Sequence, residues 1–461
     1  MSDDLIYRNR YRFFSVAAIG TFMGTLSGSI LIVALPTIAS DLQCGIQGAA
    51  WIMLSFTLTL VSLLLIFGAW TDKRGYYFAY KFGYVVFTLG TLLCSVSWSL
   101  YPLIAGRVIQ AIGSSMFQAV GIGMVTDVFP ARERGKAIGL IVMTVSAGLM
   151  TGPPLGGVLL HVFPWHSVFI ISLPVGLVGL WMTLRYLKVL QPQKKQGKVR
   201  LAGGVAASVS LCAATLALSL LSRFHVTDFR LTLLALLSIV SLLAFIKIES
   251  KSERALIGLD VFRNKQFTMA LAAAVLMFTS QAGILIILPF YLQDVRHFEP
   301  GTIGLYMIIL PLLMFILAPL AGRLSDRIGS RLLTSLGMGT LAVGMYLLSR
   351  LGTDTANTYI VLSLVVIGGG SAIFNTPNAS ALMGWVNEEQ RAITSGVISA
   401  SRNIGMSTGI AVGTAAFAYF QARYANLGST GLTFVASFHQ VALIEMACAI
   451  VGLPFCFGRK R

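Results

Sequence analysis

Charge is scarce in this sequence. Only 11% of its 461 residues are Asp, Glu, Lys or Arg, against roughly 25% in an ordinary soluble domain. The 17 acidic residues are also outnumbered by 34 basic ones. That excludes a soluble globular chain, and no stretch is polar enough to stand alone in water. Cysteine is sparse as well. Cys44, Cys94, Cys212, Cys448 and Cys456 lie far apart, mostly in apolar runs, which excludes a disulfide framework and a cysteine metal site. The histidines His161, His166, His225, His297 and His439 lack the H-x-x-x-H spacing of a metal pair. No G-x-x-x-x-G-K-[ST] loop, G-x-S-x-G elbow or paired-carboxylate segment is present. Neither ATP hydrolysis, nor an enzyme activity, nor a cofactor is therefore expected. The net charge of +17 is broken into short clusters rather than one stripe, which argues against nucleic acid as a partner.

What fills the sequence is apolar: 56% of residues are hydrophobic. A helix needs about 20 apolar residues to cross a bilayer core of ~30 Å. On that scale fourteen stretches qualify, at 13–36, 49–70, 82–99, 101–126, 137–162, 166–186, 201–221, 230–248, 267–293, 302–321, 332–350, 358–383, 392–420 and 438–457. None alternates at every second residue as a barrel strand would, so the expected class is an all-α integral membrane protein. The first stretch follows Arg8, Arg10 and Arg12 without a small-residue cleavage site, and reads as a retained span rather than a signal peptide.

The basic residues orient the spans. Arg223, Arg230, Arg296, Arg350 and Arg423 fall in one set of loops, and Arg107 and Arg402 fall inside spans; all other Lys and Arg lie in the alternate set, which contains both termini. By the positive-inside rule both termini are cytoplasmic, and the expected location is a cytoplasmic (inner) membrane. The segment 187–200, with Lys188, Lys194, Lys195, Lys198 and Arg200, is a basic linker suited to the anionic inner leaflet.

The chain also repeats itself. Span 2 ends in Gly68, Asp72, Lys73 and Gly75, and span 10 ends in Gly322, Asp326, Arg327 and Gly329, the same G-x-x-x-D-[KR]-x-G spacing twice. Span 4 carries Arg107, Gln110 and Gly113 in an R-x-x-Q-A-x-G order, and span 5 carries Gly148, Gly152, Pro153, Pro154, Gly156 and Gly157. The later segments Leu288 to Gln293, Asn375 to Asn378 and Ser401 to Gly405 add to the pattern. With these motifs the sequence resembles the major facilitator superfamily along essentially its whole length, and within it the fourteen-span drug:proton antiporter family. The resemblance implies two pseudo-symmetric six-helix bundles, residues 1–186 and 267–461, with linker loops and two inserted spans at 187–266. In span 1, Ser27 and Ile32 stand where the family pattern has an aspartate and an asparagine.

Physical reasoning assigns the candidate residues their roles. Arg107 and Arg402 each cost about 2.5–3.5 kcal/mol to bury in a membrane and should face a cavity or find a partner. With Gln110, Asn403, Asn375, Phe117 and Phe290 they form the expected substrate cavity; Phe56, Met116, Tyr291, Tyr306 and Phe374 are further apolar candidates. Asp72 and Asp326 lie level with the positively polarised starts of spans 13 and 5. They, with the other residues of the repeated octets, are read as a cytoplasmic latch. The span-5 glycines recur near a spacing of four, which lets another helix approach closely. With Pro153 and Pro154 they fit either a tight static crossing or a hinge, and the resemblance implies the hinge. Glu445 is the only acidic residue placed inside a span, and so the only candidate proton carrier there. Two cationic side chains and little negative charge favour anionic, zwitterionic or neutral amphiphiles.

The expected function is secondary active export of small amphiphilic compounds, drug-like or metabolite, by alternating access, with protons as the coupling ion by resemblance. The expected partners are a small-molecule substrate and the lipid bilayer, and the external loops leave room for a periplasmic adaptor. Two other readings stay open: a carrier of anionic or lipid-like substrates with different coupling, and a non-transporting membrane scaffold or sensor.

Overall fold

A computed structural model describes residues 3–130, 133–189, 201–220, 228–250, 259–386, 391–426 and 429–457. In chain order the helices are α1 (Asp3–Asp41), α2 (Gly45–Arg74), α3 (Tyr76–Ser95), α4 (Leu100–Val128), α5 (Arg134–Val162), α6 (Ser167–Ile170), α7 (Ser172–Tyr186), α8 (Leu201–Leu220), α9 (Phe229–Ser250), α10 (Lys265–Phe290), α11 (Pro300–Met307), α12 (Ile309–Ile328), α13 (Ser330–Leu348), α14 (Asn357–Gly384), α15 (Arg391–Arg423) and α16 (Thr430–Phe457). No strand occurs among the described residues, as a lipid environment requires when every backbone polar group must be satisfied within its own segment.

Thirteen of these stretches are long and apolar enough to cross a membrane, α6 running on into α7 and α11 into α12 as single spans. The expected span at 392–420 is α15, a 33-residue helix outside that thirteen because Ser, Thr, Asn and Arg402 interrupt its apolar residues. The linker at 190–200 and the latch side chains Asp72, Lys73 and Asp326 lie outside what is described.

The two ends of the chain pack alike. α3 lies on α4, α1 on α5 and α2 on α4; correspondingly α13 lies on α14, α10 on α15 and α12 on α14. Between these sets α5 meets α11 and α2 meets α15, while α8 packs against both α2 and α15 and carries α9 on its outer side. The repeated octet has a backbone reason. Its last glycine, Gly75 or Gly329, has φ 86° in both copies and joins two helices, its N–H donating to Thr71 O or Ser325 O. An L side chain rarely adopts that conformation.

The apolar core is divided unevenly. One large cluster takes residues from both ends of the chain, Leu26 to Ala39 of α1 beside Ala273 to Phe290 of α10. Two smaller clusters belong to one end each: Phe13, Tyr80, Phe117 and Val128 in the first, Phe267, Leu382 and Val397 in the second. The smaller clusters lie toward the side bearing the start of α1 and the basic loops. The contacts that bridge the two ends sit on the opposite side. Thr37 donates to Gln293 at 3.5 Å, His161 lies 3.7 Å from Glu299, Gly157 backs onto Pro300 and Gly301, and Gly304 backs onto Pro153. Among the described residues, then, these contacts join the two sets of helices at the less basic side.

Candidate functional site

Arg107 projects from α4 and is 0% exposed. Its Nη1 donates to Ser27 Oγ at 2.8 Å and Gln110 Oε1 at 2.5 Å, and its Nε donates to Ile52 O at 3.3 Å. The Phe56 ring lies 4.2 Å from the guanidinium carbon. Gln110 passes the network on, donating through Nε2 to Thr91 Oγ1 at 2.8 Å and accepting from Ser27 at 3.2 Å. Four helices thus share one cation, and no carboxylate joins them among the described residues. Hydrogen bonds to a charged group are worth about 1.5–3 kcal/mol each, enough to hold the arginine without an ion pair. Nη2 has no hydrogen-bond partner among the described residues.

Ser27, the departure from the family pattern, is therefore a structural partner of Arg107. Its small hydroxyl leaves the guanidinium un-neutralised, where an aspartate at that position would cancel the charge.

Arg402 is placed differently. It is half-buried and makes no hydrogen bond or ion pair among the described residues. One turn further along α15, Met406 packs against the apolar cluster shared by both ends. Residues four apart lie on one helix face, so Arg402 shares the face by which Met406 meets that cluster. It stands toward the basic side of the shared cluster, nearer the start of α15 than Met406. Asn403 is buried and bonds its own helix backbone, its Nδ2 donating to Ser399 O at 2.9 Å.

At the same end of the chain, α10 and α14 carry further polar groups. Gln281 donates to Ser371 Oγ at 3.1 Å. One turn beyond Ser371, Asn375 keeps its Nδ2 buried without a partner, as do Ser280 Oγ beside Gln281 and Ser407 Oγ in α15 among the described residues. Buried polar atoms of this kind cost about 1–3 kcal/mol each when unsatisfied, a cost a polar ligand or water removes.

The remaining candidates divide by surroundings. Phe117 is buried in the first-end core between Tyr84 and Phe87, away from Arg107's neighbours. Phe290 is 3% exposed within the shared cluster. Three of the span-5 glycines face α1: a methyl on Gly148 would collide with Thr25, one on Gly152 with Ser29, and one on Gly156 would come within 3.0 Å of Ile30 O, while Gly157 faces Pro300 and Gly301. Ser29 seals this crossing by donating to Gly148 O at 2.9 Å. α5 runs through Pro153 and Pro154 as one helix.

Sequence reading missed the counterpart. Gly405, Gly409 and Gly413 face Val275 O, Thr279 O and Gly283 in α10, and Thr279 donates to Gly405 O at 3.2 Å. A spacing of four in α15 carried that signal. A cleft of about 420 Å³ opens between the start of α2 and the end of α15, lined by Gln47, Phe417 and Gln421 among others; it touches none of the candidate cavity residues.

A model of the major facilitator superfamily matches residues 17–300 and 270–447. The chain belongs to the major facilitator superfamily. As a member of it, the protein is a membrane transporter and not an enzyme. It is 32% identical over 440 residues to the riboflavin transporter RibZ of Clostridioides difficile, covering 95% of each chain. To the uncharacterized transporter YebQ of Escherichia coli it is 29% identical, across 100% of this chain and 99% of that one. It is 29% identical to the multidrug resistance protein Stp of Mycobacterium tuberculosis over 86% of this chain and 73% of Stp. The fold matches the crystal structure of a POT family transporter in complex with 5-aminolevulinic acid, with a TM-score of 0.69 at 16% identity and 96% of both chains covered.

Proposed function

We propose that this transporter exports small amphiphilic compounds of neutral or anionic character, drug-like or metabolite, across the cytoplasmic membrane, driven by the proton gradient. Two six-helix bundles, residues 1–186 and 267–461, would rock about the site, with residues 187–266 inserted between them and both termini cytoplasmic. The observation that carries the substrate class is Arg402: a half-buried guanidinium in α15 without a partner among the described residues, with unsatisfied amide and hydroxyl groups in α10, α14 and α15. A cation held there without a carboxylate attracts negative or hydrogen-bond-accepting groups and repels lipophilic cations. The likeness to a riboflavin transporter supports a planar, polar aromatic substrate, and the likeness to multidrug resistance proteins supports export.

Contacts that join the two sets on the less basic side fit an inward-facing arrangement of such a cycle. In the outward-open arrangement Asp72 would meet the start of α15, and Asp326 the start of α5. Each contact is worth about 0.3–2 kcal/mol, weak enough to break every turnover. The deciding experiment reconstitutes purified protein into vesicles under an imposed pH gradient. Riboflavin and a carboxylated dye should move in the wild type and fail to move with Arg402→Gln. Transport of ethidium with neither of the others would overturn the reading.

A further inference from the structure

Glu445 in α16 is 1% exposed. Both of its oxygens accept from the backbone N–H of Ile284 in α10, at 3.1 Å each. Two glycines on different helices make its room. A methyl on Gly283 of α10 would collide with Oε1, and one on Gly413 of α15 would come within 3.0 Å of the same oxygen. The carboxyl therefore sits inside the α10–α15 crossing, the counterpart of the α1–α5 crossing, where Ser29 and the span-5 glycines pack with no acid at all.

No ion pair neutralises it among the described residues. Cys448 is one turn on in α16, and His439 is committed to Leu351 O. At the end of α10, Tyr291 donates to Gly352 O at 2.6 Å and Asp294 is exposed. α13 contributes Arg331 and Tyr346, both exposed. On α15, Tyr419 and Arg423 are exposed, and Arg402 lies eleven residues before Gly413, roughly 16 Å along the helix.

A carboxylate in such surroundings has only backbone N–H groups of α10 and, among the described residues, no counter-ion, a costly arrangement that a bound proton relieves. The proton also converts one oxygen from acceptor to donor. The carbonyl of Gly409 faces Gly283 across the same crossing, an acceptor on the facing helix for the new O–H. We propose that Glu445 is a proton-binding site whose occupancy sets the packing of α10 on α15. One proton joins the carboxylate, the hold on Ile284 N–H weakens, and an O–H contact toward α15 replaces it; no other bond changes. Because α10 meets α1 and α15 meets α2, the change reaches the boundary between the two ends of the chain. This inference rests on the proton-driven reading above and names the group that reading requires.

The test uses the full chain in lipid vesicles, without a substrate. Infrared difference spectra across a pH titration should show a protonated-carboxyl band in the wild type that Glu445→Gln lacks. Spin labels at Phe78 and Leu332, exposed near the basic side on α3 and α13, with the native cysteines removed, should change separation with pH in the wild type and not in Glu445→Gln. Gln keeps an oxygen for Ile284 N–H, so the variant retains the packing contact. Glu445→Asp should keep the band if Glu445→Gln fails to insert. A wild type without the band, a band unchanged in Glu445→Gln, or a pH-driven separation that survives the substitution would each overturn the proposal. A wild type that shows these signals but moves no protons against substrate would instead overturn the coupling reading and leave the proton site standing.

Discussion

At the scale of the residue, the decisive fact is that the two intramembrane arginines have opposite situations. Arg107 is closed in by Ser27, Gln110, Ile52 O and Phe56. Arg107→Ala would leave those acceptors unpaired at about 1–3 kcal/mol per group. Thermal unfolding in detergent should therefore fall markedly, and Arg107→Lys should fall less but still measurably, because lysine cannot reproduce the fork or the stacking on Phe56. Arg402 has no such partners, so Arg402→Gln should leave the unfolding temperature nearly unchanged while removing transport of anionic probes. An equal loss of stability in both variants would contradict the distinction. A sequence shows that two arginines lie in apolar spans and must be accommodated. It does not show which is accommodated by neutral groups, because Ser27, Ile52 and Thr91 come from three other helices, and a serine in a span carries no mark of its partner.

At the scale of the element, glycine spacing governs how closely helices cross. Gly152 and Gly409 occupy matching places against α1 and α10, where a methyl would meet Ser29 or Thr279 O. Overpacking of a close crossing costs about 1–3 kcal/mol, so Gly152→Ala and Gly409→Ala should each lower stability and slow transport. Gly369 in α14 is the control, since nothing lies within 4 Å of a methyl there; Gly369→Ala should be neutral, or stabilise by up to about 1 kcal/mol through reduced chain entropy. Unfolding midpoints of the three variants decide the matter, and a destabilising Gly369→Ala would show that spacing alone was misleading. The run of Gly368, Gly369 and Gly370 looks uniform in sequence, yet the outer two face Leu310 and Gly337 while the middle one faces open space. Span positions were legible because each needs about 20 apolar residues. α15 was legible by length and position but not by hydropathy, since its faces serve α10, α2 and α16 at once and are built of small and polar residues.

At the scale of the whole molecule, the less basic side is where the two sets of helices join, through the shared apolar cluster and a handful of polar or close contacts. Thr37 and Gln293 connect α1 to the turn after α10, His161 approaches Glu299, and Gly157 and Gly304 let α5 touch α11. None is strong singly: the histidine and glutamate are both largely exposed, and exposed pairs contribute about 0–1 kcal/mol. Polar contacts this weak do not lock the side shut, as the proposed alternation between two sides requires. Thr37→Cys with Gln293→Cys, in a chain without its native cysteines, should join under a short thiol cross-linker and hold that side shut. Transport should then stop and return when the link is cleaved by reductant, while the basic side stays accessible to a water-soluble thiol label at Arg402→Cys. Undiminished transport in the linked protein would mean that this side never opens, and with it the alternation between two sides would fall.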